Sequence, residues 1–437
     1  GDGQLGLGSR TPRRGAGQCL GRNPAAADKE QVNPQCHIGH TTGSLTMWQE
    51  ISFNETRWRY GTMPFVSTAR HAASNSPSLL RSLWAPAALV ALIGAAVRVG
   101  VLAAVSAVQD DKLWGLLNKW DAKHYVEIAR GGYFGADIST DGPVHETTMA
   151  FFPGFPFLVR AVSSILGTGE AGTAIALNVL FSIALAAGVM ALAAQMGMGK
   201  WAQVLSAVVV TSAPMSIVFS MPYTEALFGA LAIWAVVALV GERWWAAAAY
   251  IFVAGLVRLT AVDLVAVFGL MVLLRARKDW RAWAAVAFSV VPLVGYLWWS
   301  SSHLKEVGGY FGIQKEHWNS GFDGGKATAI WLWETLTGAT NGGYLLSAGV
   351  MIAAPVCLIL AWRRLPLAAW LFSAVLMANV LLSDGIMHSR PRLLLPAVIV
   401  LLPWVKKGAS ASVAVIAWAL FGAWFSAYML GVFEWAI

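Results

Sequence analysis

Long uncharged apolar stretches, separated by short clusters of arginine and lysine, leave this chain few folds to choose from. Segments such as 172–197 hold no ionisable residue at all. A stretch of 18 or more such residues is long enough to cross a bilayer as a helix. In hydrocarbon every backbone amide must find its partner within the protein, and a continuous apolar run satisfies that demand as an α-helix. Composition agrees, with 57% of residues hydrophobic and 12% charged, where soluble domains carry about 25% charged residues. The 22 tryptophans suit a protein with many interfacial anchors. The net charge of +8 is a value that nucleic-acid-binding proteins also carry. Its distribution points instead to membrane orientation, because past the N-terminal region the cations sit in short clusters between apolar segments. Three cysteines, Cys19, Cys36 and Cys357, make no disulfide framework.

Residues 1–80 are rich in Gly, Ser, Asn, Arg and Pro without a sustained apolar period, which predicts a disordered cytoplasmic tail. Asn54-Glu55-Thr56 matches a glycosylation sequon but falls on the cytoplasmic side. Met47 and Met63 are both plausible start positions. Residues 81–437 then form one membrane domain. Its first span, 84–108, follows Arg70 and Arg81, which keeps the N-terminus cytoplasmic. Ten further segments alternate across the bilayer: 172–197, 201–219, 223–240, 244–256, 260–274, 282–300, 342–362, 366–383, 391–405 and 409–432. With these eleven spans every strong basic cluster falls on one side. The fold class predicted is all-α, a polytopic bundle of about 11 transmembrane helices with a large first outer loop, 109–170, and a second, 301–341.

Two features depart from a plain bundle. Segments 244–256 and 260–274 are each short of the ~20 residues that a full crossing needs. Such broken helices are tolerated where they line a cavity rather than lipid. The stretch "AFFPGFPFLVRAVSSILG" (150–167) is apolar but carries Pro153, Gly154 and Pro156. Counting it as a span would place the basic clusters outside, so it is read as a half-embedded element on the outer face. No internal repeat is evident.

That topology gathers the unusual polar groups on the outer face. Residues 113–134, "LWGLLNKWDAKHYVEIARGGYF", follow the first span directly. Asp121, His124 and Tyr125 stand at i, i+3 and i+4, so they share a helix face. Lys123 and Glu127, four apart, read as a surface pair. Glu225 opens a span, and Arg258 with Thr260 marks the broken junction; ionisable groups at membrane depth are costly and point to function. Asp263 either pairs with a neighbouring cation or functions. Gln314 and His317 lie in the second loop, where His317 reads as a satisfied loop histidine. Asp384, His388, Arg390 and Arg392 lie in "SDGIMHSRPRLLLP", and the outward Arg-Pro-Arg run, against the usual charge bias, suits anion binding. There is no phosphate-binding glycine loop, nucleophile elbow or His/Cys metal spacing. No Asp-x-Asp pair stands ready to hold a metal–nucleotide-sugar complex, so a sugar donor here is predicted to be lipid-linked.

The residues Trp120-Asp121-Ala122-Lys123-His124-Tyr125, then Gly132-Tyr133, then Ala150-Phe151-Phe152-Pro153-Gly154-Phe155-Pro156 resemble the PIG-V family, the GPI mannosyltransferase II group of GT-C membrane glycosyltransferases. "PYTEALF" (222–228), "GLVRLTAV" (255–262) and "RPRLLLPA" (390–397) extend the likeness in the same order. Lys123 stands where the family pattern has an acid. An alanine-rich chain in which Arg outnumbers Lys suggests a bacterial member, at home in the plasma membrane. The resemblance implies a GT-C fold, a polyprenyl-phosphate-mannose donor and inverting transfer to a hydroxyl of a glycolipid or glycan acceptor. Asp121 is then the general base, with Trp120, His124 and Tyr125 beside it. Arg258, Arg390 and His388 would meet the leaving phosphate, and Glu225 and Gln314 the sugar hydroxyls. No cofactor is demanded, and a divalent metal stays open; membrane lipids are partners and nucleic acid is not. The alternatives are a transporter or flippase of a lipid-linked sugar, and the same fold with another sugar or a protein acceptor.

Overall fold

The computed structural model describes residues 77–135, 148–406 and 408–435. The expected tail, its sequon, the two start methionines, Cys19 and Cys36 lie outside the described residues. The described part is helical, and its only strands are a two-residue antiparallel bridge, Gly321–Phe322 against Ser383–Asp384. Five helices are long and apolar enough to cross a membrane: Ser82–Val108, Glu170–Gln195, Trp280–His303, Gly342–Leu360 and Ala409–Gly431. Their outward faces expose large apolar side chains such as Leu89, Ile93, Val294, Trp298, Ile359, Ile416 and Leu420. Only lipid can cover such a surface without a hydrophobic penalty, so the chain is a multi-pass membrane protein.

The other six expected spans are shorter elements. Helix Glu225–Val240 is buried on nearly all sides at the centre of the bundle, against Glu170–Gln195. Trp244–Ala254 and Ala261–Arg275 are the two halves of the broken pair and meet at Arg258 and Thr260. Expected span 391–405 is a four-residue helix, Arg390–Leu393, followed by a 3-10 helix, Leu395–Trp404. Pro391, Pro396 and Pro403 are the physical reason, since each lacks the N–H that an α-helix interior requires. At ~2.0 Å per residue the 3-10 segment still covers about 20 Å.

Expected span 201–219 is also interrupted. Helix Lys200–Thr211 ends, Met215 takes a left-handed conformation (φ 68°), and a 3-10 turn runs from Ser216 to Ser220. The carbonyl of Thr211, left without a helical partner, accepts a 2.8 Å hydrogen bond from Arg98 Nη1. Arg98 is fully buried in the first span and also donates to Ser220 Oγ at 3.4 Å. Gly422 lets helix Ala409–Gly431 cross this break, because a Cβ there would stand 2.0 Å from the Ser212 carbonyl oxygen.

The stretch 150–167 forms a short helix, Gly154–Leu166, packed against Asp121–Gly131. Its start docks on the broken pair: Gly154 N–H donates to the Leu256 carbonyl at 2.7 Å, and a Cβ would clash with that oxygen. The second loop is structured too, with helices Gly309–Trp318 and Lys326–Gly338. Arg98→Met, which leaves the Thr211 carbonyl and Ser220 hydroxyl without their donor, is expected to destabilise the protein by about 1–3 kcal/mol, read as an earlier midpoint in an SDS unfolding titration.

Candidate functional site

Helix Asp121–Gly131 begins at the aspartate itself. The residue before it, Trp120, holds φ 60° and ψ −128°, a conformation that costs an L-residue about 1–3 kcal/mol. That strain redirects the chain from the preceding turn so that the aspartate heads the helix. A carboxylate in the first turn also gains from the helix dipole.

Asp121 meets a guanidinium from the far end of the sequence. Its Oδ2 lies 2.8 Å from Arg392 Nη1. The Nε of Arg392 stands 3.3 Å from Glu225 Oε1, and the same oxygen lies 2.7 Å from Arg258 Nη1. Two carboxylates and two guanidiniums therefore alternate as Asp121–Arg392–Glu225–Arg258. Glu225 is 4% exposed and Arg392 11%, and buried charges are tolerable only when paired in this way. Arg392 also stacks over the Tyr223 ring at 5.2 Å, while Arg258 donates to Thr224 Oγ1 at 2.9 Å. Thr224 Oγ1 lies 3.2 Å from the Tyr125 hydroxyl, tying the Asp121 helix to the start of the central one.

A cavity of about 660 Å³ opens beside this chain of charges. Trp120, Asp121, Lys123, His124 and Tyr125 form one wall, with Phe151 and Phe152. Arg258 and Thr260 come from the broken junction, Tyr310, Gln314 and His317 from the second loop, and Asp384, Arg390 and Arg392 from the last polar stretch. The structure thus brings Trp120, Asp121, His124, Tyr125, Arg258, Gln314 and Arg390 to one cavity. Glu225 and His388 are not among its lining residues. Glu225 lies behind the wall and holds two arginines in place. His388 packs edge-on against Tyr344 and Phe433, at 5.8 and 5.2 Å between ring centres.

Arg390 is braced by neutral groups, donating to Thr328 Oγ1 and to the Ser383 carbonyl. Asp384 accepts from Asn319 Nδ2 at 2.9 Å, clasping the second loop to the stretch that holds the arginines. Gln314 Nε2 donates to the Tyr310 hydroxyl at 3.2 Å. Glu127 pairs with Arg130 at 2.9 Å, not with Lys123, which turns to the cavity. Asp263 meets no cation among the described residues; its Oδ1 accepts from Asn379 at 2.9 Å. His317, expected as an ordinary loop residue, lines the cavity beside Trp318. Among the described residues no group of three His, Cys, Asp or Glu side chains gathers as a metal site would.

His124 stacks on Phe151 at 4.8 Å and 18°. Burial lowers its pKa, against the upward pull of Asp121, and the charges of Lys123 and His317 push it further down. A buried neutral imidazole resists protonation that the unfolded chain accepts. Stability is therefore expected to be full above about pH 6.5 and to fall as pH drops through that ordinary value. The slope should shrink in His124→Phe when thermal midpoints are compared across pH. Glu225→Gln removes the anion shared by two guanidiniums and is expected to cost roughly 3 kcal/mol, measured by unfolding in detergent, with Glu225→Asp costing less.

Comparison with known proteins bears on the same residues. The family described as mannosyltransferase (PIG-V) has a model that matches residues 78–285, a stretch that includes Asp121, Glu225 and Arg258. Among solved structures, the crystal structure of ArnT from Cupriavidus metallidurans bound to undecaprenyl phosphate is similar at 18% identity and a TM-score of 0.46. The similarity covers 73% of this chain and 62% of ArnT, so the chain spans about 62% of that relative's length. No curated protein matches the chain. Over residues 78–285 the chain is thus similar to the mannosyltransferase (PIG-V) family.

Proposed function

We propose that this protein is a GT-C membrane glycosyltransferase that moves mannose from polyprenyl-phosphate mannose to a hydroxyl of a glycolipid or glycan, with inversion and with Asp121 as general base. One observation carries the reading. Asp121 faces the cavity with Oδ2 held by Arg392, while Oδ1 has no partner among the described residues. A carboxylate fixed through one oxygen and free at the other is set to receive a proton from an incoming alcohol.

The chemistry follows from those groups. The acceptor oxygen attacks the anomeric carbon as the bond from that carbon to the phosphate oxygen breaks, and the hydroxyl proton passes to Asp121 Oδ1. The leaving phosphate gains a negative charge that needs a cation. Arg258 and Arg392 are already paired to carboxylates, whereas Arg390 is bonded to a hydroxyl and a carbonyl. Arg390 therefore keeps its charge for the phosphate, and Arg258 adds its guanidinium from the junction. Gln314, whose side-chain Oε1 has no hydrogen-bond partner among the described residues, suits a sugar hydroxyl. ArnT was crystallised with undecaprenyl phosphate, a ligand of the lipid-phosphate class assigned here to the donor.

The sidedness rests on helix direction. Helix Ala261–Arg275 starts beside the cavity and ends at the cluster Arg275, Arg277, Lys278 and Arg281. Helix Leu367–Leu381 starts after Arg363-Arg364 and ends at the cavity-lining Val380. Basic clusters favour the cytoplasmic face, so the cavity opens to the outer face of a bacterial plasma membrane.

Purified protein given labelled polyprenyl-phosphate mannose and total membrane lipid is expected to release free polyprenyl phosphate. In Asp121→Asn the turnover should fall by about 10²–10⁴-fold while the donor KM changes little. Movement of intact donor between leaflets without its cleavage would sink the transferase reading in favour of a flippase.

A further inference from the structure

At the opposite end of the helices from Asp121 lies a second, smaller cavity of about 300 Å³. Cys357 and Leu360 line it from one helix, Leu401 and Trp404 from the 3-10 segment, and Val415 and Trp418 from the last helix. Its far wall is closed where Trp418 Nε1 donates to the Val209 carbonyl at 2.9 Å. Leu360, one of its lining side chains, is 57% exposed on the apolar outer surface. An apolar slot in such a surface is filled from the bilayer.

The rim is not apolar. Arg364 holds its guanidinium 5.5 Å from the centre of the Trp404 ring. Its N–H donors have no partner among the described residues. Lys200 begins the helix carrying Val209, Arg363 adjoins Arg364, and Lys406 follows Trp404 by two positions. Stretches 196–211, 356–372 and 400–415, which converge here, contain no aspartate or glutamate. Orientation of the chain explains cations at this end of the bundle. It does not require one of them to be stacked on a wall of an open slot.

We propose that this slot is a binding site for an anionic phospholipid, an acyl chain lying along Cys357, Leu401 and Trp418 and the phosphate on Arg364. The indole face fixes the guanidinium by a cation–π contact, and the planar fork then meets a phosphate through two parallel N–H donors. A zwitterionic headgroup carries its own cation and gains less from the surrounding positive field. The site is separate from the Asp121 cavity and does not depend on the reaction assigned to it.

Cys357 supplies the readout. With Cys19→Ser and Cys36→Ser it is the sole thiol, and its labelling by an apolar maleimide reports whether the slot is filled. The full chain in detergent is titrated with phosphatidylglycerol or with phosphatidylcholine of identical chains. Phosphatidylglycerol is expected to slow labelling by about fivefold more than phosphatidylcholine. Arg364→Gln should remove that preference, and Arg364→Lys, which keeps the charge without the fork, should leave part of it. Arg277→Gln, at an exposed cation away from the slot, should leave it intact. Equal protection by the two lipids, or none by either, overturns the proposal. So does an equal loss in Arg277→Gln, which would mean a general charge effect.

Discussion

A carboxylate cannot stay charged inside a membrane bundle unless a cation meets it there, and that requirement shapes the whole cavity end of this protein. Four charged side chains from four separate elements answer it as Asp121–Arg392–Glu225–Arg258. Glu225, at the head of the most buried helix, is the hinge of the arrangement because one oxygen faces both guanidiniums. Each element is thereby held to its neighbours by attraction in a low-dielectric setting, where losing one partner strands another charge. The positions of Asp121 and Arg258 on the cavity wall are consequences of that pairing.

Interrupted helices make the pairing possible. A continuous helix would carry its backbone through the site, whereas the break at 258–260 and the Pro-rich run after Arg390 present side chains and chain ends to the cavity. Each break raises the question of where its orphaned backbone groups go, and the answers are specific. Arg98 caps Thr211, Leu256 receives the amide of Gly154, and Trp418 takes the Val209 carbonyl. Buried polar atoms that look anomalous in a span are thus the partners of breaks elsewhere.

The two ends of the bundle divide charge by type. One end mixes carboxylates with arginines and histidines around a cavity of about 660 Å³, which suits chemistry on a polar, partly anionic substrate. At the other, the stretches 196–211, 356–372 and 400–415 beside an apolar slot of about 300 Å³ carry cations and no acids, which suits holding lipid. The match to the mannosyltransferase (PIG-V) family model over residues 78–285 includes Asp121, Glu225 and Arg258 of the first end. Arg390 and Arg392, beyond that stretch, complete the same cavity from a distance in sequence.

Continuous apolar runs of about 20 residues determined a helical membrane fold, because a helix pairs its own backbone in lipid, whereas barrel strands are short and alternate apolar with polar residues. The spacing Asp121, His124, Tyr125 likewise determined a shared helix face, since 3.6 residues per turn leaves no alternative. Tertiary structure decided the rest. Arg390 and Arg392 look equivalent in the sequence, yet one reaches Asp121 and the other a hydroxyl and a carbonyl. Glu225 reads as a sugar ligand and stands instead behind two arginines, and His388 lies among aromatic rings. His317 and Lys123, ordinary surface residues by their spacing, line the cavity. The physical reason is common to all of them: periodicity sets the direction of a side chain from its own helix, whereas its partner depends on which distant element packs opposite.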